Sequence, residues 1–142
     1  MVNLDNNLIL KSENIEYNGK TLKDFLDESV ESQFVIEGQE IALNEYTDGK
    51  RVYRLYKNLG TMPEANGKTS FNTGLSESYQ IQRYQLFAIR KNDKKQVLSI
   101  PFINLDNTTY ISGYMDSTKL ISVGVNWNTE NYDLYVDVYY TK

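Results

Sequence analysis

The final stretch of the chain alternates almost without fault. Tyr132, Leu134, Val136, Val138 and Tyr140 fall on one side of a period-2 pattern, and Asp133, Tyr135, Asp137 and Tyr139 fall on the other. Successive side chains on a strand point to opposite faces of its sheet, so this run predicts a strand with one face in a core. Such a strand needs partners to pair with, and the rest of the sequence supplies them.

From about Phe34 onward the chain reads as strands and turns. Ile41 to Tyr46 and Arg51 to Tyr56 flank Asp48-Gly49, a pair that takes the positive-φ positions of a tight hairpin turn. Val52 and Leu55 do not keep one phase, which predicts a bulge or a change of face there. Residues 57 to 75 read as loop, punctuated by Gly60, Pro63, Asn66-Gly67 and Gly74. Tyr79 to Arg90 reads as a strand whose alternation slips between Ile81 and Tyr84, where a bulge fits. Lys91 to Lys94 predicts a turn into Val97–Ile103, and Pro101 demotes part of that strand to an edge or an end. Tyr110 to Met115 and Lys119 to Val125 add two more strands. Short strands at such spacing predict a mainly β fold, an antiparallel sandwich or a partly closed barrel. A jelly-roll-like β-sandwich over residues 34–142 is the expectation.

Residues 1–33 read differently. Ile15-Glu16-Tyr17 alternates like a strand, and Asn18-Gly19 supplies a second hairpin turn. From Thr21, a residue type that caps helix N-termini, the period changes: Leu22, Phe25, Leu26 and Val30 recur at three- and four-residue spacing. A helix of about three turns is marginal alone in water and must pack on something. The predicted segment is a strand–turn–helix attachment piece, whose apolar face would meet either the following domain or the same helix of a neighbouring copy.

Composition excludes several classes of function. The 142 residues contain no cysteine and no histidine, which removes disulfides, thiolate nucleophiles, the common zinc sites and every His-dependent triad. A net charge of −4 argues against nucleic acid as main partner. The charge is uneven: residues 1–48 carry eleven acidic and three basic side chains, and the remainder is modestly basic. Lys91, Lys94 and Lys95 contribute to that, with Asp93 among them, as a solvated turn would. No apolar stretch approaches the roughly 20 residues that cross a bilayer, and no signal-peptide pattern opens the chain. No membrane insertion is expected. Twelve tyrosines and fifteen asparagines point to strands, polar turns and aromatic surface.

Five short segments carry a resemblance. Thr47-Asp48-Gly49-Lys50-Arg51-Val52-Tyr53-Arg54 resembles a stretch in the C-terminal domains of bacteriophage tail-fibre and receptor-binding proteins, typically Asp-Gly-Lys-Pro, an apolar residue, then Tyr-Arg. Gly60-Thr61-Met62-Pro63 is similar to their Gly-x-Leu-Pro, and Asn72-Thr73-Gly74-Leu75 stands where they carry His-Gly-Ile. Pro101-Phe102-Ile103 resembles their Leu-Pro-Tyr-Val, and Tyr139-Tyr140-Thr141-Lys142 their terminal Glu-Tyr-Thr-Lys. Order and approximate spacing are kept over residues 44 to 142. Arg51 replaces the usual Pro and the usual His is missing, so no histidine role carries over. The resemblance implies a trimeric β-sandwich head at the end of a phage appendage, made in the host cytoplasm and carried on the virion; a trimer would also give Leu22, Phe25, Leu26 and Val30 a trimerisation role, since three copies can bury an apolar face that one copy cannot. Its partners would be host cell-surface polysaccharide and, through residues 1–33, other virion proteins.

Sugars are held by aromatic faces and by amide, carboxylate and hydroxyl groups. Asn126, Trp127 and Asn128, in the turn before the last strand, are the candidate ligand residues. The competing reading has Trp127 closing the end of the fold or packing at an interface. Tyr135 and Tyr139 read as sheet-surface or interface residues. For an enzyme of glycoside cleavage, two carboxyl groups must stand roughly 5 to 9.5 Å apart. Asp133 and Asp137 share a face, but four strand residues span about 13 Å. No catalysis is expected, and no cofactor. Asp106-Asn107 and Asp116 could offer oxygen ligands, yet their spacing fits ordinary turn chemistry and no metal is expected. The rival function is a structural virion protein, a capsid head fibre, decoration or baseplate component without receptor contact. A bacterial or plasmid-encoded adhesin domain is the third.

Overall fold

The structure is a computed structural model that describes Glu16–Tyr17, Lys20–Thr21 and residues 35–142. The chain divides into two compact units, Met1–Phe34 and Val35–Lys142. In the first, β1 (Glu16–Tyr17) pairs antiparallel with β2 (Lys20–Thr21), as the Asn18-Gly19 signal predicts. The predicted helix and its apolar residues Leu22, Phe25, Leu26 and Val30 lie outside the described residues.

The second unit is mainly β, with antiparallel sheets and no helix among the described residues. Its strands are β3 (Glu40–Thr47), β4 (Lys50–Thr61), β5 (Lys68–Asn72), β6 (Gln80–Arg90), β7 (Val97–Ile100), β8 (Phe102–Ile103), β9 (Tyr110–Met115), β10 (Leu120–Val125) and β11 (Tyr132–Thr141). One sheet has the order β3-β4-β11-β6-β7 and the other β5-β10-β9-β8. The alternating last strand is thus central to the larger sheet. Leu134, Val136, Val138 and Tyr140 are buried, and they share one core with Phe71, Ile111, Ile121, Val123 and Val125 of the smaller sheet.

Several local signals act where the sequence places them. Asp48 (φ 51°) and Gly49 (φ 73°) close the β3–β4 hairpin in the left-handed region. In β6, Ile81 and Arg83 stand opposite Tyr140 and Tyr139, so Gln82 is the extra residue of a bulge at the predicted slip. Near Val52 the irregularity falls on the partner strand: Ala42 and Tyr46 of β3 stand opposite Tyr53 and Arg51, and Arg51 Nε donates to the Leu43 carbonyl at 2.8 Å. Pro101, without an N–H to continue the ladder, stands where the chain leaves β7 in one sheet and enters β8 in the other.

The predicted loop over 57–75 is corrected. Lys57 to Thr61 continue β4, and Lys68–Asn72 form β5. Lys57, Asn58 and Gly60 have little strand preference of their own, yet each pairs with β11, and pairing decides the conformation. Leu59 bulges out between them, where Gly60 (φ 111°) bends the chain and its N–H reaches Asn58 Oδ1 at 2.8 Å.

Candidate functional site

The residues singled out in the sequence fall into structural roles. Asn126 is held at both ends of its amide: Oδ1 accepts from the Tyr110 N–H (2.7 Å) and Nδ2 donates to the Thr108 carbonyl (2.8 Å). Asn128 caps its own turn, with bonds to the Glu130 N–H and carboxylate, both at 3.0 Å. Trp127 is half-buried against the core, edge-on to Tyr132 at 5.7 Å, and its Nε1 is buried with no hydrogen-bond partner among the described residues. These contacts pin the β10–β11 turn to the β8–β9 loop. The indole packs on the core with part of its surface still accessible.

The remaining candidates lie on the outer face of the larger sheet or on turns. Tyr135 is buried there, stacked on Tyr56 at 5.5 Å, and Tyr139 lies under the guanidinium groups of Arg54 and Arg83. Asp137 takes a two-pronged bond from Arg54 (2.9 and 2.8 Å), and Asp133 lies 3.6 Å from Lys91. Each carboxylate is paired with a cation. Asp116 Oδ1 accepts the Thr118 hydroxyl (2.7 Å) and the Thr118 and Leu120 N–H groups (2.9 and 3.0 Å). The Thr118 hydroxyl above all holds its carboxyl below the ordinary value. Among the described residues no three acidic side chains gather as a metal site would require.

An open groove of about 560 Å³ forms elsewhere, for a reason visible in the strand pairing. Strand β7 reaches only Leu86–Ile89 of β6, and β8 reaches only Tyr110 and Ile111 of β9. The first half of β6 and the second half of β9 therefore have a neighbour on one side only among the described residues. The groove runs along these two edges, from Tyr79, Gln80 and Tyr84 to Asp116 and Lys119 of the β9–β10 turn, with Glu77 at its rim.

Its walls are braced from behind. The Tyr79 ring stacks on Tyr140 at 5.3 Å and 8°, and Tyr140 stacks on Tyr53 at 6.0 Å. The Tyr140 hydroxyl donates to Glu40 Oε2, and Lys142 Nζ donates to Glu40 Oε1 at 2.6 Å. Burial first, then the bond to Glu40, pushes the Tyr140 hydroxyl far above its ordinary value, so it stays a donor. Thr73 Oγ1 donates to the Lys119 carbonyl (2.9 Å) and joins the β5–β6 loop to the β9–β10 turn. Across the groove, the Tyr84 hydroxyl accepts the Met115 N–H at 3.1 Å, in the place of a missing strand neighbour. Tyr84 remains 37% exposed.

The groove thus offers aromatic surface, a carboxylate, an ammonium and an amide in a fixed frame. Sequence reading weighed Asp116 only as a turn residue or metal ligand and passed over the others, because the groove joins two separate segments that only the fold brings together. The slip at Ile81–Tyr84 was the available signal, since bulges gather beside functional sites. Comparison with protein-family models, with curated proteins and with solved structures finds no match to the chain.

Proposed function

We propose that the chain is an adhesion protein of a bacteriophage virion appendage, whose jelly-roll-like β-sandwich head holds host-surface carbohydrate without catalysis or cofactor. The head works as a homotrimer, and residues 1–33 attach it to other virion proteins. The observation that carries the reading is the braced groove: Tyr84 and Tyr79 offer ring surface for the apolar face of a sugar, and Gln80, Asp116 Oδ2 and Lys119 offer groups for its hydroxyls. A pre-formed frame loses little entropy on binding, which suits weak ligands engaged by several heads at once. The core shared by the two sheets supports the sandwich, and the ion pairs of Asp133 and Asp137 support a role without acid–base chemistry. Asn126, Trp127 and Asn128 serve as the frame of this head and not as its ligand contacts.

The test is a glycan array probed with the full chain, followed by calorimetric titration of the best ligand. Tyr84→Ala is expected to weaken binding about 3- to 10-fold, the worth of one aromatic contact. Tyr84→Phe, which keeps the ring, is expected to retain most of it. Full affinity in Tyr84→Ala would place the site elsewhere. An array and host cells that bind nothing would leave the structural virion protein as the function.

A further inference from the structure

The groove of Tyr79, Tyr84 and Asp116 ends where the chain itself passes between the sheets. Strand β7 belongs to the larger sheet and β8 to the smaller, so Ile100-Pro101-Phe102 crosses from one to the other. Ile100 pairs with Leu86 of β6, and Phe102 pairs with Ile111 of β9. The sheets are pressed together there: a Cβ on Gly113 would stand 3.0 Å from Ile100 Cγ2 and 3.1 Å from Leu86 Cδ1. Two residues away on each strand, the Met115 N–H donates to the Tyr84 hydroxyl, and the groove goes no further.

At the other end the β5–β6 loop makes a second crossing. It leaves the smaller sheet at Asn72, beside Leu120, and enters the larger at Gln80. Thr73 Oγ1 ties this loop to the Lys119 carbonyl, and Glu77, Ser78 and Tyr79 of the loop line the groove. From Gln80 to Tyr84 the strand covers at most about 13 Å, and the Gln82 bulge shortens that. Among the described residues the groove is thus a bay, open outward and bounded at both ends.

An extended polymer laid along this bay would meet the protein chain at both ends, and its neighbouring units would have to bend out over the two crossings. A terminal unit has one link to lead away. At its non-reducing end it also carries a hydroxyl where an internal unit carries the next link. The bay holds an acceptor for such a hydroxyl. Asp116 Oδ1 is taken up by the Thr118 hydroxyl and two N–H groups of its own turn, which leaves Oδ2 for a ligand. A carboxylate oxygen accepts and does not donate, so it tells a free hydroxyl from a glycosidic ether. Lys119 Nζ, held on the Ser117 carbonyl at 3.0 Å, supplies donors for ether and ring oxygens, and Glu77 is the third charged residue of the bay.

We propose that the bay takes the non-reducing terminal sugar of a glycan, or a branch one sugar long, and not an internal stretch of a polymer. The proposal rests on the reading of this groove as the carbohydrate site and names which part of the carbohydrate enters it.

An array of linear oligosaccharides tests it on the full chain. The probes are chains of glucose, galactose, mannose, rhamnose, N-acetylglucosamine and N-acetylgalactosamine, each from two to six units, beside copies whose non-reducing terminal sugar is exchanged for another of the six. Binding is expected to follow the identity of the terminal sugar and to change by no more than about twofold from the disaccharide to the hexasaccharide that share it. The methyl glycoside of that sugar, free in solution, is expected to compete. Binding that climbs about tenfold or more with length and survives exchange of the terminal sugar would overturn the proposal. If Tyr84→Ala still weakened that binding, the groove would stand as a carbohydrate site for internal units. An array without signal would remove the groove reading and the proposal together.

Discussion

Glu40 accepts hydrogen bonds from two donors at the far end of β11, Tyr140 and Lys142, across the intervening strand β4. Burial alone would raise its carboxyl, but the Lys142 and Tyr140 bonds outweigh that and hold it below the ordinary value. A carboxyl lowered in the folded state stabilises above its unfolded value, about 4.3, and that contribution is lost as pH falls through the folded value. Lys142 works the other way: the Glu40 bond raises it, so its share is complete at neutral pH and lost only in strong alkali. Glu40→Gln is therefore expected to lower the melting temperature at pH 7 and to flatten its decline between about pH 5 and pH 3. Parallel acid limbs in the two proteins would deny Glu40 this part. Nothing in the sequence joins Glu40 to Lys142, since residues 102 positions apart meet only through the sheet. Trp127 shows the same blindness in reverse. A lone indole between two asparagines suggests a platform, but the partners that occupy both amides lie on the β8–β9 loop and in the next turn.

Elements were legible where local chemistry fixes them. Asp48-Gly49 demands its hairpin, Pro101 ends a ladder, and the slip before Tyr84 becomes the Gln82 bulge. The end of β4 and the whole of β5 were hidden, because Lys57, Asn58 and Gly60 acquire strand geometry from β11, a neighbour more than seventy residues away, and Lys68–Asn72 acquire theirs from β10. Gly60 tests this account. At φ 111° an alanine is strained although no atom lies within 4 Å of its Cβ, so the penalty comes from the backbone and not from packing. Gly60→Ala is expected to destabilise by about 1–3 kcal/mol in denaturant titration. Unchanged stability would mean that the bulge relaxes at no cost, and that β11 does not impose the end of β4.

At the scale of the whole molecule, two compact units compete for the role of holding copies together. One carries the amphipathic run Leu22, Phe25, Leu26 and Val30, read from sequence periodicity; the other is the head. A chain shortened to residues 35–142 separates them. That unit contains β3 to β11 and the buried core, including every strand neighbour of β11, and is expected to fold alone with a single cooperative melting transition. If the head is sufficient, the shortened chain also keeps the copy number of the full chain in light scattering. The same copy number would leave the N-terminal run free to grip a virion partner. A folded but monomeric 35–142 would return the assembly to the N-terminal run. The comparison therefore fixes which unit makes the oligomer, and the other unit inherits the docking role.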